Sequence, residues 1–451
     1  MRVKQVEVVG LFGIFNHAIP LNLADRITIV HGPNGYGKTV MLGLINELFT
    51  PGYRMFRTVP FRQMSVDFDD GGQLTIVKPF RRQNDKGRSP ILSITYRDCD
   101  GGTNRHQIKQ STSEDAQLPL AFVERAIPQL TRIAARRWVD LPTNEVLTLD
   151  DVLERYADVF PEVFPAGVIE PDPEWLSMLR AAIPVRFIKA QRLLAPVQME
   201  SRHWTSKEGK GRTSMRAAVS DYADDLSSEI KSTLSHYAEV SQGLDRSFPS
   251  RLMQRGAMIS ITQAGLQERL ETLELRRAKL SEAGLLPEEQ GLAMGLTPQS
   301  FDETTRDVLA VYVDDVEKKL SVFDDLAQRI ELFREMVNGR FEYKQMKVSK
   351  ESGLSFTTTE GSILSADSLS SGEQHEIVLL YELLFKVKPN SLILIDEPEL
   401  SLHVGWQTEF LHDLDRITSV NQFDVLTATH ASGIIHDRWD LTVRLQGPEK
   451  R

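Results

Sequence analysis

Gly32-Pro33-Asn34-Gly35-Tyr36-Gly37-Lys38-Thr39 is the stretch on which the fold turns. It matches the spacing G-x-x-x-x-G-K-[ST], and both flanks fit it. Ahead of it, Ile27-Thr28-Ile29-Val30 has the character of a short buried strand. Behind it, Met41, Leu44, Ile45 and Leu48 recur at helical spacing between Val40 and Phe49. A strand passing through a glycine-rich turn into a helix makes a phosphate cradle: the glycines let backbone N–H groups turn inward, and the helix N-terminus adds a positive dipole. In such a loop Lys38 reaches the outer phosphates of a nucleotide and the Thr39 hydroxyl ligates Mg²⁺. Gly32, Pro33, Asn34, Gly35, Tyr36, Gly37, Lys38, Thr39 and Val40 are therefore the expected nucleotide contacts.

A second apolar run, Leu392-Ile393-Leu394-Ile395, reads as a strand buried on both faces of a parallel sheet, and Val425-Leu426-Thr427-Ala428 as another. Asp396 and Glu397 end the first of these. With that strand beside the phosphate-loop strand, Asp396 holds Mg²⁺ through water, and Glu397 orients and deprotonates the water that attacks the γ-phosphate. Further upstream, Leu369-Ser370-Ser371-Gly372-Glu373-Gln374 precedes a helical run from Glu376 to Phe385. Two readings stand for it: a capping box of Ser370 with Glu373, or an anion site at a helix start.

Between these landmarks the chain changes character. Ser65–Phe68, Leu74–Val77 and Ile91–Tyr96 read as an antiparallel meander turning at Asp70-Gly71. Helix is expected over Leu118–Arg137 and Leu149–Tyr156, then a strand over Val185–Lys189 and a polar loop over Ser201–Thr213. From Ser214 to about Asn338 the pattern is mostly helical, broken at Gly284–Pro298; a helical arm and a compact helical lobe fit it equally. Phe341–Val348 and Leu354–Thr358 read as strands.

The 451 residues suffice for two or three packed units. Hydrophobic content of 41% and charged content of 26% are those of an ordinary globular protein, and no apolar run approaches the roughly 20 residues of a membrane span. A single cysteine, Cys99, excludes an internal disulfide and a cysteine-built zinc site, and fits a cytoplasmic chain. The net charge of −10 argues against nonspecific coating of nucleic acid. Local basic clusters (Arg81, Arg82, Lys86 and Arg88; Arg132, Arg136 and Arg137; Lys207, Lys210 and Arg212) are solvated faces or DNA contacts.

Gly32–Thr39, Leu369–Gln374, Ile395–Pro398 and Thr429-His430 stand in the order of Walker A, signature, Walker B and switch histidine, and so the sequence resembles an ABC-type ATPase. Ser371 and Glu373 depart from the transporter signature and are similar to the SMC, RecF and OLD-like branch. The resemblance implies an α/β P-loop fold: an ABC ATPase head, a mixed sheet with the phosphate loop, an antiparallel β subdomain and an inserted helical lobe or short coiled-coil arm. It implies ATP and Mg²⁺ as ligands and a head-to-tail dimer, in which Ser370, Ser371, Gly372 and Glu373 of one copy meet the γ-phosphate held by the other. His430 would sense that phosphate. Ser401, in Glu399-Leu400-Ser401-Leu402-His403, would face the partner's site with His403 in support. Gln191 would be the Q-loop glutamine touching nucleotide and metal, with Gln63 the alternative; Phe12, Phe15 and His17 are candidates for the adenine, or core. The resemblance divides the chain into 1–200, an N-terminal ATPase half, 201–340, a helical insertion, and 341–451, a C-terminal ATPase half. Some twenty residues follow His430, too few for an OLD-type nuclease domain. The expectation is accordingly a hydrolase in an anti-phage complex resembling Septu- and PARIS-type ATPase subunits, with a separate nuclease effector and no membrane partner. The alternative is a RecF- or SMC-like ATPase acting on DNA in repair.

Overall fold

The computed structural model describes residues 1–50, 53–78, 92–108, 127, 130–134, 137–140, 145–149, 152, 172–189, 214–254, 262–287, 303–365, 368–400, 402 and 404–447. The strands in chain order are β1 (Val3–Leu11), β2 (Phe15–Pro20), β3 (Ile27–His31), β4 (Gln63–Phe68), β5 (Gln73–Val77) and β6 (Leu92–Arg97). There follow β7 (Thr103–Ile108), β8 (Leu130–Ala134), β9 (Arg137–Asp140), β10 (Glu145–Thr148), β11 (Val185–Lys189) and β12 (Lys344–Ser349). The last are β13 (Gly353–Thr358), β14 (Ile363–Leu364), β15 (Leu392–Asp396), β16 (Asp424–Thr429) and β17 (Thr442–Arg444). The main helices are α1 (Lys38–Phe49), α2 (Glu174–Ala182), α3 (Ser214–Gln254), α4 (Gln263–Glu282), α5 (Glu303–Leu320), α6 (Asp324–Arg340), α7 (Ser371–Tyr381) and α8 (Phe410–Asn421). They form two compact units, residues 1–190 with 387–451 and residues 191–386.

The first unit is α/β and carries the phosphate loop. Its central sheet has the order β11-β15-β16-β3-β17, and every neighbouring pair is parallel. All five residues of β15 and all six of β16 are buried, as strands covered on both faces must be. A separate antiparallel sheet, β2-β1-β4-β5-β6-β7, lies in the same unit and is the antiparallel β subdomain expected beside the phosphate loop, whereas the phosphate-loop sheet is wholly parallel where a mixed one was expected. One core joins them: Met41, Leu44, Ile45 and Leu48 of α1 pack with Leu392, Leu394, Leu426 and Ala428 and with Val6, Val8, Met64 and Val66. Amphipathic spacing in α1 is thus the hinge of the unit, because its apolar stripe is shared by two sheets. At the edge of this core Arg2 Nε donates to Asp424 Oδ2 at 2.8 Å, which ties the first strand to the start of β16, and that hydrogen bond holds the Arg2 pKa above its ordinary value.

Sequence and structure part company over Leu118–Arg137. Its described residues are the buried Ile127, which lies in no strand, then β8 and the start of β9, and these strands form with β10 a three-stranded antiparallel sheet around the fully buried Trp138. Pro128 supplies the reason: it bars a helix from running through, and the residue before it is pushed to extended backbone. The stretch 118–126 lies outside the described residues. Of Leu149–Tyr156 only Leu149 and Val152 are described, both helical and buried.

The second unit is built on helices. Among them α5 packs against both α3 and α4, and Arg269 of α4 bridges Asp314 at 2.8 Å and Glu317 at 2.7 Å on α5. Antiparallel β12 and β13 cover this helical layer, β12 against α6 and β13 against α3. Residues 341–386 therefore cluster with the helices, and the boundary falls after Lys386 instead of after residue 340. Tyr381 at the end of α7 stacks on Tyr222 of α3 at 4.6 Å, and a π-helical turn, Glu382–Lys386, follows it. Arg340 forms a buried ion pair with Glu376 of α7.

Gly353 opens β13 at φ 62°, where a Cβ would sit 1.7 Å from the carbonyl oxygen of Ala223. Both the positive φ and the backbone overlap forbid a side chain, so Gly353→Ala should lower the unfolding free energy by about 3 kcal/mol. The urea midpoint reads this directly; an unchanged midpoint contradicts it.

Candidate functional site

The phosphate loop is shaped by two glycines of positive φ, Gly35 at 86° and Gly37 at 84°. At Gly37 a Cβ would approach Leu11 Cδ2 to 2.8 Å, so no other residue fits. Gly37 is also the N-cap of α1 and offers no side-chain acceptor, which leaves the first-turn N–H groups for an anion. The buried Lys38 ammonium donates to the carbonyl oxygens of Gly32 at 2.8 Å and Pro33 at 3.3 Å, holding the loop curled around it.

The loop is braced from below by an aromatic group. The ring of His17 donates through Nε2 to the carbonyl oxygen of Tyr36 at 2.9 Å, and Phe15 lies against both rings. Burial pushes the His17 pKa below its ordinary 6.5, which keeps the ring neutral. Phe15 and His17 are thus core residues that support the loop, whereas Phe12, at φ 52°, is 40% exposed. His31, where β3 enters the loop, is likewise held below its ordinary pKa by burial, with Arg444 and Lys38 adding to the effect.

Opposite the loop, Asp396 ends β15. The Thr39 hydroxyl donates to Asp396 Oδ1 at 3.2 Å across 357 residues of sequence. The strand bearing Asp396 does not adjoin β3, contrary to expectation: β16 runs between them, in register so that Asp396 is level with Ala428 and Thr429 with His31. That extra strand delivers His430 to the same edge. Lys38, Thr39, Asp396, Glu397 and His430 consequently gather at the carboxyl ends of parallel strands, where open α/β sheets bind ligands.

Glu397 has φ 48°, a costly conformation for a residue with a side chain. Its N–H donates to the Ala428 carbonyl at 2.8 Å, and its own carbonyl accepts from Leu400 N at 3.1 Å. Strain fixed this firmly aims a side chain, and it is concentrated at functional sites. His430 Nδ1 lies 3.5 Å from Glu397 Oε1 and 3.1 Å from Glu399 Oε1.

The donor set fits Mg²⁺. Thr39 and Asp396 offer oxygen only, which suits a hard cation. Among the described residues no group of three or more His, Cys, Asp or Glu could hold a metal unaided, so the remaining positions would belong to phosphate and water.

In the second unit Ser370 caps α7. Its side chain accepts from Glu373 N at 3.4 Å, while Glu373 Oε2 accepts from Ser370 N at 2.8 Å: the capping box is formed. Lys344 Nζ reaches both carboxylate oxygens of Glu373, at 2.8 and 2.7 Å. Burial acts to raise the Glu373 pKa, but hydrogen bonds from Lys344 and Ser370 outweigh it and hold the carboxylate below its ordinary range. Ser371, exposed, and Gly372, half-buried, begin the first turn. Gln191, Ser401, His403 and the basic loop with Lys207, Lys210 and Arg212 lie outside the described residues. Gln63 begins β4, paired with Val9 and Val77.

Sequence reasoning names His17 without its bond to Tyr36, and misses Lys344 and Glu399. Only Glu399 carries a local signal, its place two residues after Glu397.

A family model described as "AAA domain, putative AbiEii toxin, Type IV TA system" matches residues 27–435. Among solved structures the chain is similar to the Smc head domain with an extended coiled coil bound to the C-terminal domain of ScpA from Pyrococcus furiosus, at 12% identity and a TM-score of 0.33, covering 96% of this chain and 91% of that one. It is also similar to the SMC head domain from Thermotoga maritima, at 11% identity and a TM-score of 0.33, covering 99% and 95%. No curated protein matches it. The phosphate loop, Asp396, Glu397 and His430 all fall inside the matched span, and the chain belongs to this AAA-domain family of P-loop proteins.

Proposed function

We propose that the chain is an ATP hydrolase that acts as a nucleotide-controlled switch. The observation that carries this reading is the convergence of Lys38, Thr39, Asp396 and the strained Glu397 on one sheet edge. Lys38 and the loop N–H groups would bind the phosphates, and Thr39 with Asp396 would hold Mg²⁺, which neutralises charge on the β- and γ-phosphates. Glu397 accepts a proton from water as its oxygen attacks the γ-phosphorus in line; the bond to the bridging oxygen breaks, giving ADP and phosphate.

In this reading two copies meet head to tail, with Ser370, Ser371, Gly372 and Glu373 of one completing the phosphate site of the other. Pairing Glu373 with Lys344 supports it, because an uncompensated carboxylate beside a phosphate would repel it. ATP would then clamp the pair and hydrolysis release it. The description of the matching family names a putative toxin of a toxin–antitoxin system, which favours a defence role over a role in repair, and a separate effector nuclease is part of that proposal.

The test is native mass analysis of Glu397→Gln chains recovered with Mg-ATP from their own host. Defence predicts two copies, two ATP and a stoichiometric second protein with nuclease-type metal ligands. Two copies carrying DNA alone would support the repair reading instead.

A further inference from the structure

The segment that follows Asp396 is folded back onto the strand beside it. Glu397 turns the chain at φ 48°, Pro398–Leu400 make a 3-10 turn, and that turn packs against β16. It brings the side chain of Glu399 to the carboxyl end of β16, where it is 6% exposed. There Oε1 accepts two hydrogen bonds, from the Thr429 hydroxyl at 2.8 Å and from the His430 backbone N–H at 3.2 Å. The Thr429 oxygen in turn accepts from Ala431 N at 3.0 Å. Thr429, His430 and Ala431 are thus tied, directly or through one hydroxyl, to a single carboxylate oxygen.

The anchor is itself held. Gln407 Nε2 donates to the Glu399 carbonyl at 3.2 Å and to the Leu402 carbonyl at 3.3 Å, which fixes the backbone that carries the carboxylate. Thr429 is fully buried, whereas the side chain of His430, one residue on, is 43% exposed. Holding the N–H of a residue and both of its neighbours sets the direction of its Cα–Cβ bond and leaves the ring at the surface. Burying a carboxylate is costly, and the second oxygen, Oε2, is buried with no hydrogen-bond partner. An apolar residue would fill the same space at lower cost, so filling space is not the task of Glu399.

We infer that Glu399 is a positioning residue for His430: its carboxylate sets the backbone of residues 429–431 and so aims the histidine from the carboxyl edge of the sheet. The inference deepens the proposed hydrolysis and rests on His430 taking part in it.

The experiment reads kcat, KM for ATP and melting temperature on the full chain. Glu399→Ala strands the Thr429 hydroxyl and the His430 N–H, and should lower kcat roughly 10- to 100-fold with KM unchanged, the scale of losing a group that orients another. Glu399→Gln keeps an oxygen for both bonds. It should recover kcat to within about fivefold of the unaltered chain, because a neutral acceptor bonds less strongly than a carboxylate. In a His430→Ala background, Glu399→Ala should leave kcat where His430→Ala put it, since no ring remains to be aimed. Thr429→Val removes the hydroxyl with little change of shape and should show the same dependence on His430, which decides the matter if Glu399→Ala melts below the assay temperature. Equal fold-losses with and without His430 in either variant, unaltered kcat in a folded Glu399→Ala chain, or a Glu399→Gln chain as slow as Glu399→Ala would overturn the inference. The reading beneath it fails separately, if His430→Ala turns over as fast as the unaltered chain.

Discussion

Replacing Lys38 by alanine is expected to abolish useful ATP binding. The ammonium is buried against the Gly32 and Pro33 carbonyls, so it is already drawn into the loop and pays little further ordering cost to meet phosphate oxygens. Removing a buried, hydrogen-bonded partner of a charged group costs about 3 kcal/mol or more, on the order of a hundredfold in Kd. Isothermal titration with a non-hydrolysable ATP analogue and Mg²⁺ measures it. Folding should survive, because α1 is anchored by Met41, Leu44, Ile45 and Leu48 and not by Lys38. An unchanged Kd would remove the phosphate loop from the account.

The second large effect separates chemistry from binding. Glu397→Gln keeps the length, the backbone path and the hydrogen bonds of residue 397 to Ala428 and Leu400, but deletes the group that takes the proton. Binding of Mg-ATP should therefore be retained while kcat falls roughly 10²- to 10⁴-fold, the usual worth of a general base. Loss of binding and turnover together would mean that residue 397 serves the architecture, not the proton transfer.

Signals confined to a few neighbouring residues were legible in the sequence. The glycine spacing of 32–39, the uninterrupted apolar run of β15 and the stripe of α1 each need only local chemistry, and each lies where its pattern implies. Sheet order was not legible, because nothing in β15, β16 or β3 encodes which pair adjoins; all three are apolar runs suited to a buried parallel sheet. Around residue 130 a local signal was present and underweighted: Pro128 stands in a stretch whose apolar residues happen to fall at helical spacing. Glu399 shows the deeper limit. Its partners Thr429 and His430 are 30 and 31 residues away, and only the pairing of β15 with β16 brings them to it.

The most direct test of the central claim is phosphate release from saturating Mg-ATP by the unaltered chain, measured beside Glu397→Gln under the same loading. The account predicts repeated turnover by the first and bound, uncleaved ATP on the second. Equal rates, or no release from the unaltered chain while ATP is demonstrably bound, would contradict it.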